Sequence, residues 1–114
     1  MPNDIRTIDR TFGALADPTR RAVVQALCKG PATVSELAVP FAMALPSFTQ
    51  HLGVLEGAGL IVSRREGRTR ICSLNPESLH SAEAWLARHR CAWEARMDRF
   101  EAHLERSDEE PRNE

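Results

Sequence analysis

Two groups of side chains between residues 44 and 74 have chemistry to offer to something outside the molecule. The first is Ser47, Thr49, Gln50 and His51, a set of hydroxyl, amide and imidazole groups. A glutamine can bond adenine bidentately and a serine or threonine can bond several bases, so such a set suits a surface that approaches base edges closely. The second is Arg64, Arg65, Arg68 and Arg70, four guanidinium groups within seven residues. Cations this dense neutralise phosphates, and on duplex DNA each neutralised phosphate steepens the salt dependence by roughly 0.9 log units. Together they describe recognition of double-stranded DNA, with base contacts from one group and backbone contacts from the other. Each group also has a plainer use, as an ordinary polar helix face or as a charged edge that prevents strand pairing.

The elements around these residues decide between the uses. Leu45, Phe48, Leu52 and Leu55 recur every three or four residues, which predicts a helix with one apolar face. Pro46, Ser47, Gln50, Gly53 and Val54 then form the opposite face, with Thr49 and His51 at its edges. Gly59 suits a left-handed helix end, and Leu60, Ile61 and Val62, followed by Thr69, Ile71 and Ser73, favour strands. Between them Glu66-Gly67 offers a tight hairpin that carries the arginines at its tip. A polar-faced helix leading directly into a short basic hairpin is the order of a winged helix-turn-helix.

Upstream, Ile5, Ile8, Phe12 and Leu15 predict a first helix, and Asp17-Pro18 opens a second that contains Val23, Val24, Ala26 and Leu27. Gly30-Pro31 stops it; Thr33 caps a short third helix with Val34, Leu37 and Ala38, which Pro40 ends. Residues 33–57 are then a helix-turn-helix pair, whose first helix crosses the DNA backbone while the second enters the major groove. After Asn75-Pro76 a last helix runs to about Leu104. The expected fold is mainly α with a small β-hairpin wing, in the order α-α-α-α-β-β-α. It forms one DNA-binding and dimerisation domain over residues 1–106, with a disordered charged tail at 107–114.

In the last helix Leu79, Leu86, Trp93 and Phe100 recur every seven residues, joined by Trp85, Met97 and Leu104. So much apolar surface is covered economically by a second copy of the chain, giving a two-fold homodimer. Ile5, Ile8 and Phe12 of the first helix and Leu86, Trp93, Met97 and Phe100 of the last are the expected interface. The competing arrangement folds the last helix back onto its own domain. The sequence names no small-molecule effector; the aromatic surface around Trp85 and Trp93 is where one would be sought, packing being their other use.

The net charge of -1 conceals a division. Residues 1–75 hold nine Lys or Arg against six Asp or Glu, whereas residues 76–114 hold six against ten, so the positive excess lies with the DNA-facing part. No stretch is long and apolar enough for a membrane span and the N-terminus lacks a secretion signal, so a cytoplasmic protein without a membrane partner is expected. Nothing reads as an enzyme: there is no nucleophile elbow, no phosphate-cradling glycine loop and no His-x-x-x-His pair. No cofactor is expected.

With these residues in view, the chain over about residues 8–104 resembles the ArsR-type winged helix-turn-helix repressors, especially their metal-independent branch. Ala16-Asp17-Pro18-Thr19-Arg20-Arg21, Thr33 to Ala38, Pro46 to Leu60 and Ser63 to Arg68 carry the resemblance, in the family's order. It implies a homodimeric repressor that occupies an inverted-repeat operator, with the first and last helices forming the dimer interface. The family's metal sensors carry Cys-x-Cys in the third helix, and Glu36-Leu37-Ala38-Val39-Pro40 has no thiolate. A second family site pairs Asp-x-His with His-x-x-Glu of the partner chain; His80, His89 and His103 do not form that arrangement, so no metal is expected. Many members of this branch have basic residues in the recognition helix, where Leu45, Gln50 and Gly53 are neutral here, leaving more of the phosphate binding to the wing.

The odd count of cysteines argues against a disulfide framework. Cys28 and Cys72 are expected as small core hydrophobes, while Cys91, lying between Arg90 and Arg96, is the candidate redox residue of a thiol-responsive repressor. The competitor from another class is a winged-helix adaptor whose arginines bind an acidic protein.

Overall fold

Asp17 decides where the second helix begins. In the computed structural model, which describes residues 5–109, its carboxylate accepts the backbone N–H of Arg20 at 3.1 Å and Pro18 occupies the first turn. Helix α1 (Ile5–Leu15) therefore ends and α2 (Pro18–Leu27) starts across a two-residue corner. The next boundary is made the same way. Thr33 Oγ1 accepts the Glu36 N–H and the Glu36 carboxylate accepts the Thr33 N–H, each at 3.1 Å, a reciprocal capping box that starts α3 (Val34–Ala38).

Helix α4 (Leu45–Gly57) ends in a Schellman motif, with Gly59 at a φ of 76°. Gly59 N–H bonds the Glu56 carbonyl and Leu60 N–H bonds the Leu55 carbonyl, both at 2.9 Å. A side chain at Gly59 would also meet Ser78 Oγ at 2.9 Å, and that hydroxyl donates to the Gly59 carbonyl at 2.7 Å. The start of α5 (Pro76–Glu109) is thereby pinned to the turn that leaves α4.

Strands β2 (Ile61–Glu66) and β3 (Thr69–Leu74) form the hairpin, turning at Gly67 with φ of 63°. A third strand, missing from the order expected above, is β1 (Ala32–Thr33), which pairs Ala32 with Cys72 and Thr33 with Ile71. The sheet order is β1-β3-β2. Two residues display no alternation, so this strand has no signature until β3 supplies a partner.

The core joins Val23, Val24 and Leu27 of α2 and Leu37 of α3 to Phe48, Leu52 and Leu55 of α4, and these to Leu60, Ile61 and Cys72. Leu45 at the first turn of α4 and Ala26 of α2, both expected on apolar stripes, are exposed and stay outside it. Cys28 is exposed too, correcting its placement in the core, because it caps α2 after the last buried residue, Leu27. Contacts group the chain into one unit that ends at Ala82 and a second that begins at Glu83. The second is the continuation of α5, which reaches Glu109 and so takes in residues 107–109, assigned above to the tail; residues 110–114 lie outside the described residues.

Both capping carboxylates are held below the ordinary range, Asp17 chiefly by the N–H of Arg20 and Glu36 chiefly by the N–H of Thr33. A depressed native pKa means that the unfolded chain takes up protons first, so this stabilisation is present above the unfolded value and lost as pH falls through the native one. Thermal unfolding followed by circular dichroism should therefore show the melting temperature dropping from about pH 4 downward. Asp17→Asn, which keeps a neutral cap, should melt with a shallower acid dependence than the native chain.

Candidate nucleic-acid interface

Helix α4 divides its residues as the spacing required, except at Leu45, which is exposed. Phe48, Leu52 and Leu55 are fully buried, while Pro46, Ser47, Gln50, Gly53 and Val54 are exposed and Thr49 and His51 lie half-buried at the edges. The outer face is itself divided. Val54, Gly57 and Ala58 line an apolar groove of about 450 Å³ with Arg10, Gly13 and Ala14 of α1. The first two turns, which carry Leu45, Ser47 and Gln50, have no part in that groove. Ala44 gives α4 no side-chain cap, and Thr49 donates its hydroxyl proton to the Pro46 carbonyl at 2.9 Å. Thr49 thus keeps acceptor capacity and a methyl group for an outside partner.

His51 has a different position from its companions. Its Nδ1 accepts from Arg20 Nη1 at 3.2 Å and lies 3.7 Å from Asp17 Oδ2. With Arg20 donating, Nδ1 carries a lone pair and the ring proton sits on Nε2. The same guanidinium donates through Nε to the Ala14 carbonyl at 2.7 Å and through Nη2 to the Gly13 carbonyl at 3.3 Å, and Arg21 reaches the Leu15 carbonyl at 2.9 Å. These are the last carbonyls of α1, which have no partner within the helix. His51 is therefore occupied in fixing α4 against the α1–α2 corner. The reading from sequence took Asp17 only as the start of the second helix and Arg20 only as part of the string that carries the resemblance; their contacts with His51 were not anticipated.

The four wing arginines differ. In the hairpin register Arg65 faces Arg70, Arg64 faces Ile71 and Ser63 faces Cys72, so Arg65 and Arg70 share the face of the buried Cys72 and Arg64 lies on the other. Arg70 donates to the Glu56 carboxylate, and through Nε to Ser63 Oγ at 3.1 Å, while Ser63 Oγ donates to the same carboxylate at 2.9 Å. Expected as a phosphate contact, Arg70 is instead a clip between α4 and the wing. Like charges directly opposite one another are unfavourable in a sheet, and Glu56 offsets this one. Glu56 was missed from sequence because nothing local shows that a helix carboxylate and a strand arginine fourteen residues later will meet. Arg64 pairs with Glu66 at 3.1 Å on the surface, and Arg65 and Arg68 are exposed and make no ion pair among the described residues.

Of the expected dimer residues on α1, Ile8 is already buried in the chain and Phe12 is half-buried; the Ile5 side chain lies outside the described residues. On α5, Leu86, Trp93, Met97 and Phe100 are all exposed, as is Leu104. Trp85 stacks on His89 with ring centroids 4.1 Å apart. Cys91 is exposed on the same helix, whereas Cys72 is fully buried, and desolvation there raises its thiol pKa and keeps it protonated. No described helix is long and apolar enough to cross a membrane.

A model of a helix-turn-helix domain matches residues 15–64 of the chain. The HTH-type transcriptional regulator Rv2034 of Mycobacterium tuberculosis is 45% identical over 74 residues, which are 65% of this chain and 69% of that protein. The transcriptional repressor SdpR of Bacillus subtilis is 33% identical over 79 residues, covering 69% of this chain and 88% of its own length. Among solved structures, the ArsR family transcriptional regulator RHA00566 superposes with a TM-score of 0.77 at 50% identity, covering 82% of this chain and 97% of that one.

The two kinds of wing arginine should separate in a denaturant titration. Arg70→Ala removes a half-buried charge-assisted contact and should lower stability by about 1 kcal/mol, whereas Arg68→Ala should leave the unfolding midpoint where it is.

Proposed function

This chain belongs to the ArsR family of winged helix-turn-helix transcriptional regulators, and from that premise we propose that it is a repressor of the metal-independent branch, acting as a homodimer on an inverted-repeat operator. The observation that carries the reading is the division of α4 into a buried apolar face and an open first half, beside a wing with uncommitted arginines. Ser47, Thr49 and Gln50 read base edges; Arg64, Arg65 and Arg68 hold phosphates. The exposed stripe of Leu86, Trp93, Met97 and Phe100 on the last helix supports the dimer, because so much apolar surface along one helix calls for a partner. The third helix contains no thiolate, so repression in this reading does not wait on the family's cysteine metal site. The protein acts in the cytoplasm, and catalysis is no part of the proposal.

From Gly30 to Ser63 the chain has no Lys or Arg, so the helix-turn-helix pair adds no side-chain cation to phosphate binding. Anchoring then falls to the wing. In vitro selection of genomic fragments by the purified protein at physiological salt should enrich an inverted repeat with half-sites about one DNA turn apart. Absence of any enriched sequence would transfer the reading to an adaptor that binds an acidic protein partner. On the selected site, two or three arginines per protomer predict a slope of log K against log salt between about -4 and -5, rather than the roughly -7 of eight engaged wing arginines. Gln50→Ala should change site preference at about 1 to 3 kcal/mol per lost base contact, while Arg68→Ala should weaken all sites alike.

A further inference from the structure

Leu45 belongs by spacing to the apolar stripe of α4, yet 56% of its surface is exposed, against 1% or less for Phe48, Leu52 and Leu55. It sits in the helix's first turn, one turn before Thr49 on the same edge, with Gln50 beside Thr49. What this end of the helix presents is the aliphatic side chain of Leu45, the Ser47 hydroxyl, the methyl of Thr49, whose hydroxyl proton is used on Pro46, and the Gln50 amide. It presents no cation, since α4 contains neither Lys nor Arg. The commonest specific contact to guanine is a bidentate Arg or Lys on O6 and N7, and that contact is missing here. The thymine C5-methyl is the apolar group on the major-groove edge, and adenine N6 and N7 are the bidentate partner of a glutamine.

We propose that Leu45 is a specificity-determining residue which, with the methyl of Thr49 and the amide of Gln50, makes the recognition helix read A·T pairs through thymine methyl groups. This rests on the reading of the chain as a DNA-binding regulator. An exposed leucine that adds nothing to the core gains by leaving water against a methyl group, and loses that gain when the methyl is removed.

The test uses the full chain and the fragments it selects. Each thymidine of a half-site is replaced in turn by deoxyuridine, which lacks only the methyl, and affinity is read by fluorescence anisotropy. At least one position should lose about three- to ten-fold in affinity. Leu45→Ala should bind the thymidine and deoxyuridine forms of that position equally, with an unchanged melting temperature, and Leu45→Met should retain the discrimination. Should Leu45→Ala fail to fold, the deoxyuridine scan with the native chain and the Leu45→Met comparison decide the matter. Indifference to deoxyuridine at every position, or half-sites read through G·C pairs, would overturn the inference and leave the regulator reading intact. No selected sequence at all would overturn both.

Discussion

One guanidinium holds the junction on which the orientation of the reading helix depends. Arg20 closes the open carbonyl end of α1 through Gly13 and Ala14 and uses its remaining arm on His51 of α4. The planar fork of an arginine delivers several N–H donors in fixed directions, which a lysine ammonium does not. Asp17 completes the corner from the other side by capping α2, so two helices and the edge of a third meet at two charged side chains. The roll of α4 about its own axis follows from this contact together with the burial of Phe48, Leu52 and Leu55. Ser47 and Gln50 face outward because Phe48, which lies between them, is held inward.

The wing has a conflict to resolve. In the proposed reading, cations near its tip serve phosphate binding, but the register sets Arg65 directly across from Arg70. Glu56 relieves the repulsion by drawing Arg70 toward α4, with Ser63 bridging the two. The same contact ties the hairpin to the helix it accompanies, so in the proposed reading wing and α4 would approach DNA as one surface.

In the proposed reading, anchoring and base recognition are thereby separated in the chain. The helix-turn-helix pair carries two glutamates and no Lys or Arg, so nonspecific attraction to DNA is weak there. Where recognition helices bear cations, phosphate affinity and base readout share the same element. Here α4 offers small, amide and aliphatic groups, and in the proposed reading its discrimination rests on short-range contacts that salt does not screen.

The helices, the hairpin and all but the far end of α5 were legible in the sequence because each rests on local chemistry. Asp17 and Thr33 as caps, Gly59 and Gly67 at positive φ, and the apolar spacing of Phe48, Leu52 and Leu55 all act within a few residues. Strand β1 was not legible, because two residues become a strand only when β3 lies beside them. Nor were the separate fates of Arg64, Arg65, Arg68 and Arg70, or of His51, since a charged side chain's role is decided by what the fold brings within a few ångströms of it. Leu45 and Cys28 show the same limit at helix ends, where spacing assigns a face but only packing decides how far along the helix that face is covered. The sequence by itself determined the helices, the hairpin and which surface of α4 is polar. The tertiary structure alone decided which of the polar groups remain free of intramolecular partners, because contacts such as the Glu56–Arg70 ion pair and the Arg20–His51 hydrogen bond join residues far apart in the chain.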